Sequence, residues 1–161
     1  MNDDCRSRLA ALTRRWVEEG WSAGDGTRPA GSIVEALHDP HFTDHDSGGR
    51  APDNAGFRAG IVALLEAFPD LVATARDVVV EPTPIGGGTC AGASAVTVDG
   101  MVAVRWTAVG TQRGAYLGAA PTGRRVTFQG SEVIRVRDGR IAERWGEWDG
   151  LELLGQLGQW P

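Results

Sequence analysis

The sequence predicts an α+β fold in which N-terminal helices cover one face of an antiparallel sheet. Apolar residues recur at helical spacing in the first part of the chain and alternate with polar residues in the second part. Two Asp-Gly pairs interrupt the alternating part, as in hairpins with two-residue turns. Helices followed by a meander of strands are typical of the α+β class.

The first predicted helix lies near the N-terminus. Leu9, Leu12 and Trp16 follow the spacing of one buried helix face, and Gly20 is a suitable end. This face is expected to pack against the sheet.

Two further helices are predicted before the strands. A short one is expected to be capped by Ser32 and closed by Pro40. The polar, glycine-bearing stretch from 41 to 52 predicts a loop. Asn54 then opens a longer helix that Pro69 ends.

The strands are predicted from period-two alternation. The alternating runs are Val72–Glu81, Ala93–Val98, Met101–Gln112, Arg125–Arg137 and Ile141–Trp148. Asp99-Gly100 and Asp138-Gly139 predict hairpin turns between neighbouring runs. A short helix at Leu151–Leu157 completes a single domain over residues 1–161.

Composition excludes several classes of function. The chain has 161 residues, 42% hydrophobic content and a formal net charge of −5, which suits one globular domain. Its basic residues form no stripe, so nucleic acid is not an expected partner. No apolar run approaches the length of a membrane span, and no membrane partner is expected. Cys5 and Cys90 suggest neither a disulfide framework nor a metal site, which predicts a cytoplasmic protein.

Glu132 is the strongest candidate for chemistry. Alternation places it on one strand face with Phe128, Gly130 and Ile134. A carboxylate on an apolar face must find a partner or have its pKa raised by desolvation, and a raised pKa suits acid–base catalysis near neutral pH. The alternative is a structural glutamate held by an arginine or a backbone amide.

The last strand offers a partner for Glu132. Its alternation groups Arg144, Gly146 and Trp148 on one face, while Trp145 lies on the other. Counting from the Asp138-Gly139 turn pairs residue 133 with residue 144, so Glu132 and Arg144 are expected to be near-diagonal at best.

The segment HFTDHD concentrates polar groups before a loop. His41, Asp44, His45 and Asp46 are dense enough to raise the question of a metal, but no further cluster at ligand spacing accompanies them. We therefore predict no metal site and no cofactor. His45 is expected at the edge of a pocket as a base or hydrogen-bond donor.

Three stretches together resemble a known family. They are AFPDL (67–71), VAVRWTAVGTQRGAYLGAAPTGRRV (102–126) and RDGRIAERWGEWDGLELLGQLG (137–158). The chain is similar here to the SnoaL-like polyketide cyclases of the nuclear transport factor 2-like superfamily. The resemblance, which covers roughly residues 41 to 158, implies a cone-shaped α+β domain whose curved antiparallel sheet wraps over the N-terminal helices around an apolar pocket.

The resemblance also implies a function and a departure from it. It implies cofactor-free aldol cyclisation of a polyketide-like ester in secondary metabolism, such as antibiotic biosynthesis, with an acidic side chain removing the activated proton. The family's catalytic aspartate aligns with Gly146, which has no acid–base function, and Asp149 matches a second aspartate that suits a helix cap. Glu132, His45 and Arg144 are therefore the predicted catalytic residues.

The predicted substrate-binding residues are the mainly apolar groups expected around the pocket. They are Phe57, Trp106, Phe128, Gly146 and Trp148. The expected partner is a hydrophobic small molecule.

Two alternatives to a cyclase stay open at this point. One is a binding or accessory protein with the same pocket and no chemistry, which Gly146 favours. The other is a hydroxylase or an epoxide-opening relative on the same fold. We also expect a homodimer or higher homo-oligomer, because Val133 and Trp145 would otherwise form exposed apolar surface.

Overall fold

The computed structural model of the chain describes residues 2–83 and 98–159. The helices are α1 (Asn2–Gly20), α2 (Ile33–Leu37), α3 (Asn54–Ala67) and α4 (Gly150–Gln156). The strands are β1 (His38–Asp44), β2 (Val72–Thr83), β3 (Asp99–Thr111), β4 (Arg125–Arg137) and β5 (Arg140–Trp148). These elements confirm the predicted α+β class.

The strands form one five-stranded sheet in the order β1-β5-β4-β3-β2. Strands β2 to β5 make the predicted antiparallel meander. At the tip of the β4–β5 hairpin, Asp138 and Gly139 have φ values of 50° and 71°. Both central residues of a type I′ turn need positive φ, so this predicted turn is confirmed.

Strand β1 is an edge strand that the sequence did not predict. It runs parallel to β5, and its pairing is irregular between His38 and Thr43. Pro40 lies in this irregular stretch and was interpreted as the end of a helix. Proline is tolerated here because an edge strand does not need every N–H for the sheet.

The hairpin predicted at Asp99-Gly100 is wrong. Both residues belong to β3, where Asp99 pairs with Thr83 and Gly100 with Pro82. The partner run was placed at 93–98, of which residues 93–97 lie outside the described part of the chain. The dipeptide therefore begins a long strand.

The helices pack against the sheet, where α1 contacts β2 and β3 and α4 lies against β4. Helix α1 ends at Gly20, as predicted. Asp53 caps α3 by accepting a hydrogen bond from the Gly56 N–H, while Ser32 precedes α2 without making a side-chain cap. Asp149 accepts from the Glu152 N–H, which confirms the predicted cap of α4.

The core lies between the helices and the sheet. Its largest fully buried side chains include Trp16, Phe57 and Phe68. Cys5 is also buried there and is disulfide-bonded, so the expectation that the cysteines form no disulfide is wrong, while Cys90 lies outside the described residues. Within the described residues, no helix combines the length and apolar character that a membrane crossing requires.

Candidate active site

The site is built on the inner faces of β4 and β5. Phe128, Glu132 and Ile134 point inward from β4, in the alternation predicted from sequence. Glu132 pairs directly with Gly146 of β5. The inner face at this point therefore carries one long acidic side chain opposite a residue with no side chain.

A β-bulge brings Arg144 to the same face. The register of the hairpin shifts after Val136 pairs with Ile141, so that Arg135 pairs with Glu143 and Ile134 with Arg144. A shift of one residue moves side chains to the opposite face of a sheet. The predicted pairing of residues 133 and 144 was therefore wrong, and Arg144 lies diagonally from Glu132 on the inner face.

Glu132 and Arg144 form a buried ion pair. Arg144 Nε lies 2.6 Å from Glu132 Oε2, and the two side chains are 5% and 2% exposed. The angles of this contact do not meet those of a directed hydrogen bond. Trp106 donates its indole N–H to Glu132 Oε1 at 3.1 Å. The carboxylate is thus held by one charge and one neutral donor.

Arg144 also holds the segment after β1. Its Nη1 lies 2.7 Å from Asp44 Oδ1, and Asp44 is fully buried. The same Nη1 donates to the backbone oxygen of Asp46 at 3.4 Å. One guanidinium therefore serves two buried carboxylates and orders the loop that follows.

Burial raises the pKa of the Glu132 carboxyl, and the opposing effect of Arg144 does not cancel it; the charge of Asp44 adds to the rise. Burial by itself would lower the pKa of Arg144, but Glu132 and Asp44 outweigh it and raise that pKa. The predicted direction for Glu132 is confirmed. The alternative interpretation, a structural glutamate held by an arginine, is also supported in part, because Arg144 pairs with the Glu132 carboxylate.

A cavity of about 150 Å³ opens above this pair. A cavity of about that volume holds a benzene ring in an engineered protein. The wall is mainly apolar, with a few polar groups. The predicted site residues that line it are Trp106, Phe128, Glu132, Arg144 and Trp148.

Gly146 is required by the ion pair. A Cβ at this position would lie closer than 3.0 Å to both Glu132 Oε2 and Arg144 Nη2. The ends of these two side chains therefore occupy the space into which a side chain at residue 146 would project. The Glu132–Arg144 pair fits only because residue 146 has no side chain, so a carboxylate at 146 and this pair exclude each other.

Two predicted site residues lie elsewhere. His45 stacks on the Trp145 ring at 4.5 Å and pairs with Glu143 at 3.0 Å, so it lies on the outer face of the sheet and not at the edge of the cavity. His45 was expected at the cavity because β1 was not predicted. The pairing of β1 with β5 decides on which face of the sheet the residues of this segment lie. Phe57 is buried in the core, and its ring centroid lies 5.6 Å from the Arg144 guanidinium carbon.

Three ionisable side chains that line the cavity were not among the predicted site residues. Asp46 and Arg50 come from the loop after β1, and Tyr116 comes from the loop between β3 and β4. Burial raises the pKa of Tyr116, which keeps its hydroxyl a neutral donor. The cluster of polar residues in HFTDHD (41–46) could have pointed to Asp46 as a site residue. Among the described residues, no three His, Cys, Asp or Glu side chains lie close enough together to hold a metal ion.

Comparison with known proteins agrees with this fold. The family model for "SnoaL-like polyketide cyclase" matches residues 89–157. The predicted resemblance to the SnoaL-like polyketide cyclases is confirmed. No curated protein matches the chain significantly.

Solved structures with the same fold match nearly the whole chain. TsrD from Streptomyces laurentii is 24% identical with a TM-score of 0.74, and the match covers 96% of this chain and 98% of TsrD. AclR, a candidate hydroxylase from Streptomyces galilaeus, is 22% identical with a TM-score of 0.69 and full coverage of both chains. IdmH, a candidate polyketide cyclase from Streptomyces antibioticus, is 27% identical with a TM-score of 0.64, covering 94% of this chain and 98% of IdmH.

Proposed function

We propose that this SnoaL-like protein is a cofactor-free acid–base enzyme that cyclises a small, hydrophobic, polyketide-like carbonyl compound in secondary metabolism. The observation that carries the proposal is the buried Glu132–Arg144 pair at the floor of a mainly apolar cavity. A carboxyl group with a raised pKa can both take and give a proton near neutral pH.

The proposed reaction is an intramolecular aldol addition. A carboxylate takes the proton from the carbon next to a carbonyl, and the electrons of the broken C–H bond form an enolate. The enolate carbon then bonds to a second carbonyl carbon of the same molecule, and the resulting alkoxide receives a proton. Glu132 exchanges protons with the substrate, and the Arg144 guanidinium stabilises the negative oxygen.

The remaining cavity residues support this chemistry. Trp106 fixes the carboxylate of Glu132 and presents its ring to the substrate, while Phe128 and Trp148 supply aromatic surface. Phe57 packs beneath the guanidinium from the core side. The apolar wall raises the strength of every charge interaction inside the cavity.

The test is Glu132→Gln with an aryl β-keto methyl ester that carries a further ketone on the ring, ortho to the keto ester chain, as the probe substrate, because the reaction needs a second carbonyl that the enolate carbon can reach. The substitution keeps the shape and removes the proton transfer, so kcat should fall by about 10²-fold or more while KM changes little. Glu81→Gln, at an exposed position on β2, is the matched control and should retain the wild-type rate. A Glu132→Gln variant that folds and works at the wild-type rate would remove Glu132 from the mechanism.

A non-catalytic binding protein is the second candidate. It is favoured by Gly146, which leaves the usual acidic position empty, and by the engagement of both Glu132 oxygens with neighbouring side chains. This candidate predicts that Glu132→Gln alters unfolding free energy and probe binding, with no turnover to lose in the wild type.

We further propose that the protein forms a homodimer through the outer face of the sheet. Val79, Ala103, Val133 and Trp145 are direct cross-strand neighbours on that face. Val79 is 69% exposed and Val133 is 37% exposed. An apolar row of this kind favours a covered surface. A cytoplasmic location remains our prediction for the assembled protein.

A further inference from the structure

The loop after β1 carries a second carboxylate into the cavity wall. Asp46 is exposed and lines the cavity together with Glu132 and Arg144. Its Oδ2 accepts a hydrogen bond of 2.8 Å from the backbone N–H of Gly146. Asp46 therefore places a carboxylate against the β5 residue that lacks one.

Asp46 is fixed at this point by the buried network. Its backbone N–H donates to Asp44 Oδ1 at 3.1 Å, and its backbone oxygen accepts from Arg144 Nη1 at 3.4 Å. Asp44 and Arg144 are themselves buried and paired. Hydrogen bonds to a buried network thus fix the position of a side chain that lies on a loop, which catalytic positioning requires.

The two carboxylates differ in what surrounds them. Glu132 is 2% exposed and has both oxygens engaged by Arg144 and Trp106. Asp46 is exposed, and its Oδ2 accepts a hydrogen bond from a single backbone N–H. A carboxylate has about four lone-pair positions, so Asp46 retains capacity to take a proton.

We propose that Asp46 is the catalytic base of this site and that Glu132 serves as the proton donor. The inference rests on the proposed function, because it divides that reaction's proton transfers between two residues. Asp46 takes the proton from the substrate carbon, and the C–H electrons move to the carbonyl oxygen. That oxygen receives its proton from Glu132 beside Arg144. The loop carboxylate thereby replaces the one that Gly146 cannot supply.

The test uses nitrobenzisoxazole, a compact carbon acid that needs no knowledge of the natural substrate. A base takes its ring C–H proton, the C–H electrons form a nitrile, and the N–O bond breaks to leave a coloured phenolate. Asp46→Asn should lower this rate by about 10²-fold or more. Its thermal midpoint should stay near that of the wild type, because the amide oxygen can still accept from Gly146.

Asp99→Asn is the matched control. Asp99 Oδ1 likewise accepts one backbone N–H, from Asp138 at 2.6 Å, and it lies at the far end of β3. The Asp99→Asn variant should convert nitrobenzisoxazole at the wild-type rate. Asp46→Ala supplies an independent readout, because added formate should restore its rate in a saturable manner if a carboxylate is needed at this point. A purely structural role for Asp46 would give no such rescue.

The outcomes separate this inference from the proposed function. An active wild type whose rate survives Asp46→Asn but not Glu132→Gln overturns the role of Asp46 and leaves the acid–base cavity in place. The same conclusion follows if formate fails to rescue Asp46→Ala. A wild type no faster than free acetate at the same pH overturns the proposed function and Asp46 with it.

Discussion

Gly146→Ala adds one methyl group at the centre of the candidate site. The new carbon would lie closer than 3.0 Å to Glu132 Oε2 and Arg144 Nη2, a separation that real Cβ atoms do not adopt. Both atoms lie at the ends of flexible side chains, but Trp106 hydrogen-bonds the Glu132 carboxylate and Asp44 pairs with the Arg144 guanidinium, which restricts their movement. The ion pair must therefore separate to admit the methyl group.

The size of the effect follows from the burial of the pair. Breaking a buried ion pair by removing one partner costs about 3–5 kcal/mol, because the other charge is left uncompensated. Displacement without removal belongs at the lower end, so we expect Gly146→Ala to reduce the free energy of unfolding by about 3 kcal/mol. Urea unfolding followed by tryptophan fluorescence measures this directly.

The control for this prediction is Gly155→Ala in α4. A Cβ there meets no atom within 4 Å, and alanine favours a helix over glycine by about 1 kcal/mol. This variant should be as stable as the wild type or more so. Shortening Glu132 to alanine should also reduce the cost of Gly146→Ala, because the obstructing carboxylate is gone. A Gly146→Ala protein within about 0.5 kcal/mol of the wild type would refute the account of the site.

Three other predictions concern acid stability, assembly and a helix cap. Burial lowers the pKa of His38 to about 4, so the unfolded chain binds more protons than the folded one between pH 6.5 and 4. The free energy of unfolding should therefore fall by about 3 kcal/mol as the pH drops through that range. The His38→Gln variant should lose most of this pH dependence, which urea titrations at several pH values measure. Val133→Lys should convert a dimer to a monomer in light scattering while Val72→Lys, on the first residue of β2, should not; a wild type that is already monomeric would end the dimer proposal. Asp149→Ala should lower the unfolding free energy by about 1 kcal/mol through loss of the bond to the Glu152 N–H, and an unchanged urea midpoint would contradict this.

The sequence predicted the central strands of the sheet better than the edge strand β1. Period-two alternation and the Asp138-Gly139 turn sufficed for β4 and β5, since these strands bury one face and expose the other. Strand β1 escaped because Pro40 interrupts it and because it pairs with β5, about 100 residues later in the chain. Local pattern carries no information about such a pairing.

The candidate site was predicted in part for the same reason. Glu132 is marked by its own strand, so its inward position and raised pKa were predictable. Its contact with Arg144 depends on a bulge, and the place of Asp46 depends on β1. Both are set by backbone register, which composition and alternation within one strand do not encode.

The bulge in β5 decides which side chains of that strand face the cavity. Two successive residues, Ile141 and Ala142, are both buried there, and the strand resumes its alternation one step out of phase. A regular ladder of the same residues would instead pair Val133 with Arg144, which would put Arg144 on the outer face and Trp145 on the inner one although no residue had changed. Deleting Ala142 would remove the irregularity and keep every later residue of β5 opposite its present partner. The charge and the shape of the binding site therefore depend on this one irregularity of the backbone as much as on the identity of the side chains around it.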